Sequence, residues 1–309
     1  DYYREVSYGQ LAVQGNVSGT AWYRSNHTMT WWGNDSTGHD DLNGDIFELA
    51  REAVKLADND TNFKAYDADG DNVLDPEELS FCIVHAGSGQ ESSKNSSDIW
   101  SHRWYIYGQG YESMGGSPLS DTFVDGVRIS KHTDDDVGGY IMVAEDSPLG
   151  AFAHEYGHEL GLPDLYDYSF GGEFVGKWDL MGVGCWNGNP AGSSPAHLMA
   201  WSKMKLGWIR ASNITSISSR QVVNVTIDQL ETVTDGVYAV KIDVGSVYYL
   251  VEVRRRILYD AYLPNQGVLV SYCNDSVESG KGSVKVQNAK PSVPNLDNAT
   301  FNVDDGGNS

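Results

Sequence analysis

The sequence predicts an α+β fold, because helical and strand-like patterns occupy different parts of the chain. Apolar residues recur at helical spacing in residues 45–57, where Asp45 could cap the helix. A second helix is predicted to begin with Ser147 as the cap and Pro148 at the first helical position, and to end at Gly161. From about residue 220 onward, β-branched residues alternate with polar ones, which is the pattern of strands.

The other elements follow in chain order. Alternation in residues 1–33 predicts strands and turns, and residues 67–78 form an acidic loop. The apolar run 80–86 has the length of a strand, and short apolar stretches in residues 100–130 predict further strands. Residues 195–206 are predicted to form another helix. The C-terminal strands are predicted in QVVNVTI, YAVKIDV, VYYLVEV and GVLVSY, with Arg254, Arg255 and Arg256 at a solvated strand end and an irregular polar tail after residue 275.

The composition limits the classes of function. The chain has 309 residues, 40% of them hydrophobic, which is enough for one large domain or two modest ones. Its net charge of −22 disfavours binding to nucleic acid or anionic membranes, and no apolar run reaches the roughly 18 residues of a membrane span. The numbering opens at Asp1 without a signal peptide, so we expect a mature or trimmed form.

Three cysteines, Cys82, Cys185 and Cys273, are too few for a disulfide-built scaffold. One disulfide with a free thiol and three reduced thiols both fit this number. Nine Asn-x-Ser/Thr sequons occur where roughly three are expected by chance, and together they predict an extracellular, N-glycosylated protein. The candidate acceptors are Asn16, Asn26, Asn34, Asn59, Asn95, Asn213, Asn224, Asn274 and Asn298.

The segment HEYGHELGLPD carries the strongest chemical signal. His154 and His158 are four residues apart, so a helix places both imidazoles on one face, where they can hold one Zn²⁺. Glu155 lies at the edge of that face and is expected to act as general base toward water activated by the metal. After Gly161 the chain can reverse, which allows Asp164 to serve as third ligand and leaves one coordination position open for catalysis. The alternative is that the histidines only pack against the core or cap the helix.

HEYGHELGLPDLYD resembles the active-site helix of the immune inhibitor A family of secreted zinc metalloproteases. The segments YYREVSYGQLAVQGNVSG, YDADGDNVLD, IVHAGSGQE and DIWSHRW are also similar to the family and follow in family order. KWDLMGVGCW resembles the Met-turn, which implies that Met181 lies beneath the metal, and residues 248–275 resemble the closing strand pair.

The resemblance covers residues 2–275 and implies a zincin fold, metzincin-like, with a twisted sheet, an active-site helix and a Met-turn. It implies a catalytic region in residues 1–210 and a β-rich C-terminal lobe of the same domain in residues 211–275. Residues 276–309 show no such resemblance, and their polar composition predicts an irregular tail. The apolar strand that usually opens the family's catalytic region is expected to be missing.

The acidic loop YDADGDNVLDPEE fits the calcium-loop pattern of an EF-hand. Its first, third, fifth, ninth and twelfth places would supply side-chain oxygens, and Val73 at the seventh would supply a backbone carbonyl. Asn72 holds the sixth place, where the left-handed conformation is required and Asn tolerates it. The alternative is a solvated acidic turn. The candidate side-chain ligands are Asp67, Asp69, Asp71, Asp75 and Glu78.

Two functions of different classes therefore remain open. The first is a secreted zinc endopeptidase, stabilised by at least one calcium ion, that acts on proteins or peptides. The second is a glycosylated, calcium-stabilised surface or fibre protein that keeps the fold without the activity. Because a scaffold has no need of Glu155, the complete set of ligands plus base favours the enzyme. Neither cleavage specificity nor oligomeric state follows from the sequence.

Overall fold

A computed structural model describes residues 1–35, 40, 46–106, 121–130, 138–169, 171–218, 222–293 and 295–302 of the protein. The chain forms two compact units, one of residues 1–14 and 148–309 and the other of residues 15–147. Both units contain helices and strands, so the predicted α+β class is confirmed. Within the described part of the chain, no helix has the length and apolar character needed to cross a membrane.

The regular elements are short and are numbered here in chain order. The helices are α1 (Tyr2–Val6), α2 (Met29–Trp32), α3 (Ile46–Ala57), α4 (Gln90–Ser93), α5 (Leu149–Glu159) and α6 (Ala200–Lys205). The strands are β1 (Phe81–His85), β2 (His102–Tyr105), β3 (Thr122–Val124), β4 (Val127–Ser130), β5 (Gly139–Ala144), β6 (Ile214–Ser218), β7 (Ala239–Val244), β8 (Val247–Arg254), β9 (Gly267–Cys273) and β10 (Val284–Val286).

The unit of residues 15–147 contains a three-stranded sheet of order β1–β5–β2, with β1 parallel and β2 antiparallel to β5. Its core includes the apolar face of α3, with Phe47, Ala50 and Val54 buried. The predicted helix at 45–57 is therefore confirmed, although Asp45 lies outside the described residues. The strands predicted at 80–86 and within 100–130 are confirmed in β1 to β4 for the described residues.

The other unit is built on a five-stranded sheet of order β10–β9–β8–β7–β6, antiparallel except for the parallel pair β6–β7. β7, β8 and β9 confirm three of the predicted C-terminal strands. The fourth prediction, QVVNVTI, is wrong within its described part, because residues 222–227 form no strand and the Val222 side chain is 98% exposed. β10 also corrects the expectation of a wholly irregular tail, since it pairs with β9 in the register Val284↔Cys273.

The N-terminal prediction of strands in residues 1–33 is wrong, since this segment contains α1 and α2 and no strand. In α1 the buried residues are Tyr2, Tyr3 and Val6, whose spacing is that of one helical face rather than of a pleated strand. The Tyr2 hydroxyl donates to Ala196 O at 2.6 Å, and the Tyr3 hydroxyl donates to Ala153 O at 2.5 Å. These bonds anchor α1 in the core of the unit formed by residues 1–14 and 148–309.

The helix predicted at 195–206 is shorter than expected and consists only of α6. The residues before it give their backbone amides to buried carboxylates instead of to helical carbonyls. His197 N donates to Asp260 Oδ1 at 2.7 Å, and Met199 N donates to Asp179 Oδ2 at 2.6 Å. A side-chain acceptor that replaces the helical one favours extended backbone at these positions.

Arg255 and Arg256 are exposed, as predicted for a solvated strand end, but Arg254 is fully buried, which corrects the prediction for that residue. Its guanidinium donates to Asp260 Oδ2 at 2.7 Å, to Trp178 O at 2.8 Å and to Glu231 Oε1 at 3.3 Å. A buried guanidinium needs such partners, because an unpaired charge is costly in a medium of low polarity. The three cysteines are free thiols, which answers the question of a disulfide left open by the sequence.

Candidate metal centre

The predicted metal ligands begin on α5, which starts one residue later than the sequence suggests. Pro148 is the residue that caps the helix rather than its first helical residue. Ser147 does not cap it, and its hydroxyl instead accepts a hydrogen bond from Ala144 N at 3.1 Å. On α5 the rings of His154 and His158 lie 4.8 Å apart and perpendicular to each other, as expected for residues one helical turn apart.

The helix ends in the way that the sequence predicts. Gly161 has a φ of +88°, a conformation that glycine adopts without strain. Leu162 N donates to Gly157 O at 3.1 Å and Gly161 N donates to His158 O at 2.9 Å, which together form a Schellman motif. This ending reverses the chain and returns Asp164 to the helix.

Three side chains then converge on one point. Asp164 Oδ1 lies 3.1 Å from His154 Nε2 and 3.2 Å from His158 Nε2. One ligand atom from each of the three residues lies within 4.8 Å of the others. For four ligands at about 2.0–2.1 Å from a zinc ion, the edge of the coordination tetrahedron is about 3.3 Å. The two measured distances are close to that edge, so these residues fit the ion.

The outer hydrogen bonds fix which atoms face the centre. His154 Nδ1 lies 3.0 Å from Leu180 O, and His158 Nδ1 lies 2.8 Å from Leu162 O. Because a carbonyl oxygen only accepts, each Nδ1 carries a proton and donates it. The lone pair of each neutral ring is then on Nε2, the atom that faces Asp164. Such partners behind a metal-binding histidine set its tautomer and orientation.

The pKa values of Asp164 and His154 are both shifted by their mutual contact. Burial disfavours the charged form of Asp164, but the hydrogen bonds and charges of the two histidines outweigh it and hold its pKa below the usual range. Burial likewise opposes the charged form of His154, yet the hydrogen bond with Asp164 raises its pKa well above the usual value. A metal ion binds only the neutral imidazole, so metal binding at Nε2 of His154 competes with protonation of that atom.

Met181 lies in a turn that packs directly on α5. An ideal Cβ added to Gly157 would be 2.5 Å from Met181 Sδ, so a side chain at this position would force the buried Met181 to shift. The turn is held by Asp179, whose Oδ1 accepts from Met181 N at 2.7 Å. The same turn supplies Leu180 O to His154. Met181 thus packs against the helix that carries both histidines, and its neighbour in the turn, Leu180, orients His154.

Glu155 is buried beside His154, with 7% of its surface exposed. Its charge is felt by neighbouring groups of the site. Burial contributes most to the raised pKa of Tyr166, and the charges of Asp164 and Glu155 add to it. The Glu155 carboxylate is therefore within electrostatic range of the residues around the ligand group.

Two residues that are not predicted from the sequence, Tyr168 and Ser279, both contact Asp164. The Tyr168 hydroxyl donates to Asp164 Oδ2 at 2.6 Å, and Ser279 Oγ accepts from Asp164 N at 3.0 Å. Burial and the hydrogen bond to Asp164 raise the pKa of Tyr168 to about 12, so its hydroxyl keeps the proton at neutral pH. Tyr168 follows the motif closely in sequence, whereas nothing in the polar segment around Ser279 signals a role.

The acidic loop belongs to the unit of residues 15–147 and contains a second group of side chains that could hold a metal ion. The carboxylates of Asp67, Asp69 and Asp71 each place an oxygen within 4.8 Å of the others. Asp75 and Glu78 lie outside this group, although Glu78 Oε1 accepts from Ala68 N at 2.6 Å.

The backbone of this loop agrees with the sequence pattern. Asn72 has a φ of +65°, the left-handed conformation predicted for the sixth place. Each of the first three acidic side chains accepts a hydrogen bond from an amide of the loop, as when Val73 N donates to Asp71 Oδ1 at 2.7 Å. Lys64 pairs with Asp67, and this contact contributes most to lowering the pKa of that carboxyl.

The nine sequons differ in how accessible their asparagines are. The asparagines of five are exposed: Asn16, Asn26, Asn59, Asn95 and Asn224. Those of the other four, Asn34, Asn213, Asn274 and Asn298, are half-buried. The Asn213 amide already donates to Gly236 O at 2.7 Å, and Thr300 of the last sequon is 1% exposed.

Comparison with known proteins identifies the family. Residues 1–210 match the family described as immune inhibitor A peptidase M6, catalytic domain. The chain belongs to this family. Immune inhibitor A of Bacillus thuringiensis subsp. alesti is 35% identical over 219 residues, 65% of this chain and 30% of that protein. The pre-pro-metalloprotease PrtV of Vibrio cholerae serotype O1 (strain M66-2) is 33% identical over 223 residues, 66% of this chain and 23% of that protein.

The resemblance to the immune inhibitor A family seen in the motifs is thus confirmed. The chain spans less than a third of the length of these curated relatives. All three members of the His154, His158 and Asp164 group lie within the part that matches the family's catalytic domain, as does Met181. Ser279 lies beyond that part of the chain.

Proposed function

We propose that the protein is a zinc-dependent endopeptidase that hydrolyses peptide bonds in protein or peptide substrates. The observation that carries the proposal is the convergence of His154 Nε2, His158 Nε2 and Asp164 Oδ1 around one point, with buried Glu155 beside them. Membership of a peptidase family supports the same reaction class.

Zinc is the metal that best suits these donors. Two imidazole nitrogens and one carboxylate oxygen are typical of catalytic zinc sites, whereas calcium and magnesium prefer all-oxygen sets. Three protein ligands leave a coordination position for substrate or water. When bound, zinc supplies a Lewis acid that polarises a carbonyl group and makes water more acidic.

Residues of the chain itself would orient the two histidines and transfer the proton. Leu180 O and Leu162 O hold the two imidazoles in the tautomer that presents Nε2. Glu155 would take a proton on its carboxylate from the attacking water and pass it to the nitrogen of the leaving amine. Burial strengthens these electrostatic interactions, because little water competes for the same charges.

We extend the proposal to the arrangement around the site. The packing of Met181 on Gly157 supports its assignment as the methionine of a zincin-type Met-turn, in a metzincin-like fold. Residues 1–210 would form the catalytic region, residues 211–275 its β-rich lobe, and residues 276–309 a tail that includes β10.

Calcium and glycosylation complete the proposal. Asp67, Asp69 and Asp71, with the Val73 carbonyl, Asp75 and Glu78, would hold a structural calcium ion, because hard oxygen donors at this spacing suit that cation. The exposed sequons suit N-glycans and hence a secreted or cell-surface location. No nucleic-acid partner is proposed, since the net charge of −22 disfavours one.

One combined experiment tests the function. The purified chain is stripped of metal, reloaded with zinc, and assayed for bound metal and for cleavage of a casein substrate. We expect about one tightly bound zinc per chain at this site, loss of cleavage on stripping, and recovery on reloading. A chain that binds zinc but cleaves nothing would instead support the alternative function, a glycosylated surface or fibre protein that keeps the fold without the activity. A chain that binds no zinc would contradict the site itself.

A further inference from the structure

The loop that joins β9 and β10 contacts the third ligand. Asn274 N donates to Ser283 O at 2.8 Å and closes the base of the loop, next to the strand pair Val284↔Cys273. At its far end, Gly280 N donates to Asp164 O at 3.2 Å, and Tyr168 N donates to Gly280 O at 3.2 Å. The loop therefore pairs with the backbone of the segment that follows the site helix.

The side chains at this contact form a closed ring of hydrogen bonds. Asp164 N donates to Ser279 Oγ at 3.0 Å, and Tyr168 Oη donates to Asp164 Oδ2 at 2.6 Å. Ser279 Oγ and Tyr168 Oη lie 3.0 Å apart. Because the Tyr168 proton is already given to the carboxylate, the Ser279 hydroxyl must donate to Tyr168 Oη. Each hydroxyl in the ring both accepts and donates, an arrangement that strengthens every bond in it.

The ring decides which oxygen of Asp164 faces the histidines. Oδ2 is engaged by Tyr168, whereas Oδ1 lies 3.1 Å from His154 Nε2. Asp164 lies outside regular secondary structure, so no helical or strand hydrogen bonds fix its backbone. A ligand in such a position needs contacts from elsewhere to hold it in place.

Gly280 fits this contact in a way that no other residue would. Its φ is +67°, which residues with a side chain rarely adopt, and an added Cβ would overlap the ring of Tyr168. The backbone of the loop can thus approach the tyrosine only because this residue lacks a side chain.

We propose that the β9–β10 loop positions Asp164 for metal binding, with Ser279 and Tyr168 as positioning residues. The inference rests on the proposed zinc site and deepens it. Ser279 and Gly280 lie beyond residues 1–210, the part that matches the catalytic domain of the family. In this chain the metal site is therefore completed by a segment from outside that match.

The test compares zinc affinity among variants of the full chain made in a bacterial host, so that glycosylation does not differ. Ser279→Ala and Tyr168→Phe should each weaken zinc binding by about 10- to 100-fold in chelator competition, the usual effect of removing a hydrogen bond behind a ligand. The double variant should lose no more than about the larger single loss, because both changes open the same ring. Ser279→Thr keeps the hydroxyl and should restore most of the affinity. Ser276→Ala, an exposed position on the same loop, is the matched control and should bind zinc like the wild type.

A spectroscopic readout separates positioning from general destabilisation. The visible absorption of the Co²⁺-substituted chain should change in Ser279→Ala and Tyr168→Phe but not in the control, since it reports on ligand geometry. Wild-type zinc affinity and an unchanged cobalt spectrum in both variants would overturn the inference while leaving the zinc site intact. If Ser279→Ala fails to fold, Tyr168→Phe and Ser279→Thr decide the question. Failure of the wild type to bind zinc would refute the proposed function and this inference together.

Discussion

Because Met181 packs on Gly157, we expect Gly157→Ala to destabilise the wild type but to stabilise a variant that lacks the Met181 side chain. Replacing a glycine in the interior of a helix with alanine normally stabilises a protein by about 1 kcal/mol, because glycine loses more backbone entropy on folding. Here the new Cβ would lie 2.5 Å from Met181 Sδ, well inside the optimal separation of about 3.5–4.0 Å. Met181 is fully buried, so its side chain has no solvent into which it can move.

Overpacking of a buried contact costs about 1–3 kcal/mol, which equals or exceeds the gain of about 1 kcal/mol in helix propensity. Gly157→Ala should therefore destabilise the wild type by up to about 2 kcal/mol. In a Met181→Ala background, which itself costs about 2–5 kcal/mol, the same substitution should instead stabilise by about 1 kcal/mol. The expected coupling between the two positions is about 1–3 kcal/mol.

The assay is urea unfolding of the four metal-free proteins, followed by zinc titration of each. Overpacking should push the turn that carries Leu180 away from His154, so Gly157→Ala should also weaken zinc binding by about 10-fold. The double variant should regain that affinity, because the contact that displaced the turn is gone. If Gly157→Ala stabilises both backgrounds by the same amount, Met181 does not pack on this helix as described.

Three further predictions concern the acidic loop, the glycans and the buried charges. Asp69→Ala and calcium chelation should each lower the melting temperature and speed proteolysis within residues 60–90, because the clustered carboxylates repel one another without a cation; no effect of either would identify a plain acidic turn. Mass spectrometry of native material should find sugar at exposed Asn95 and little at Asn298, whose sequon threonine is buried, and nine unmodified asparagines would remove the argument for an extracellular glycoprotein. Burial raises the pKa of Glu231 to about 8, against the opposing charge of Arg254, so the folded chain keeps a proton that the unfolded chain loses above pH 4.5. Stability of the wild type relative to Glu231→Gln should thus fall as the pH rises from 5 to 8, and parallel stability curves would contradict this protonation.

The sequence predicted the local parts of the site because their determinants are close together in the chain. The spacing of His154 and His158 and the glycine at 161 are sufficient to specify one helical face and its end. Asp164 could be predicted for the same reason, since it lies only three positions after the glycine. α3 and β7 to β9 were predicted because each shows several repeats of one periodicity.

The failures have a common cause in contacts between distant residues. Residues 195–199 are extended because the carboxylates of Asp179 and Asp260 take their amides, and local pattern carries no trace of such partners. The sequence of α1 cannot be told from that of a strand, because five residues are too few to distinguish the helical from the strand periodicity. Ser279 contacts Asp164 across 115 positions, so only the fold could show it.

The measurement that tests the central claim most directly compares Glu155→Ala with His158→Ala for zinc content and peptide hydrolysis. Glu155→Ala keeps all three ligands and places a good helix former in α5, so it should retain zinc and the fold. Its hydrolysis rate should nevertheless fall by about 10²–10⁴-fold, the usual contribution of a positioned general acid–base group. His158→Ala should lose zinc and activity together. Equal hydrolysis by wild type and Glu155→Ala at equal zinc content would contradict the assignment of Glu155 as the base.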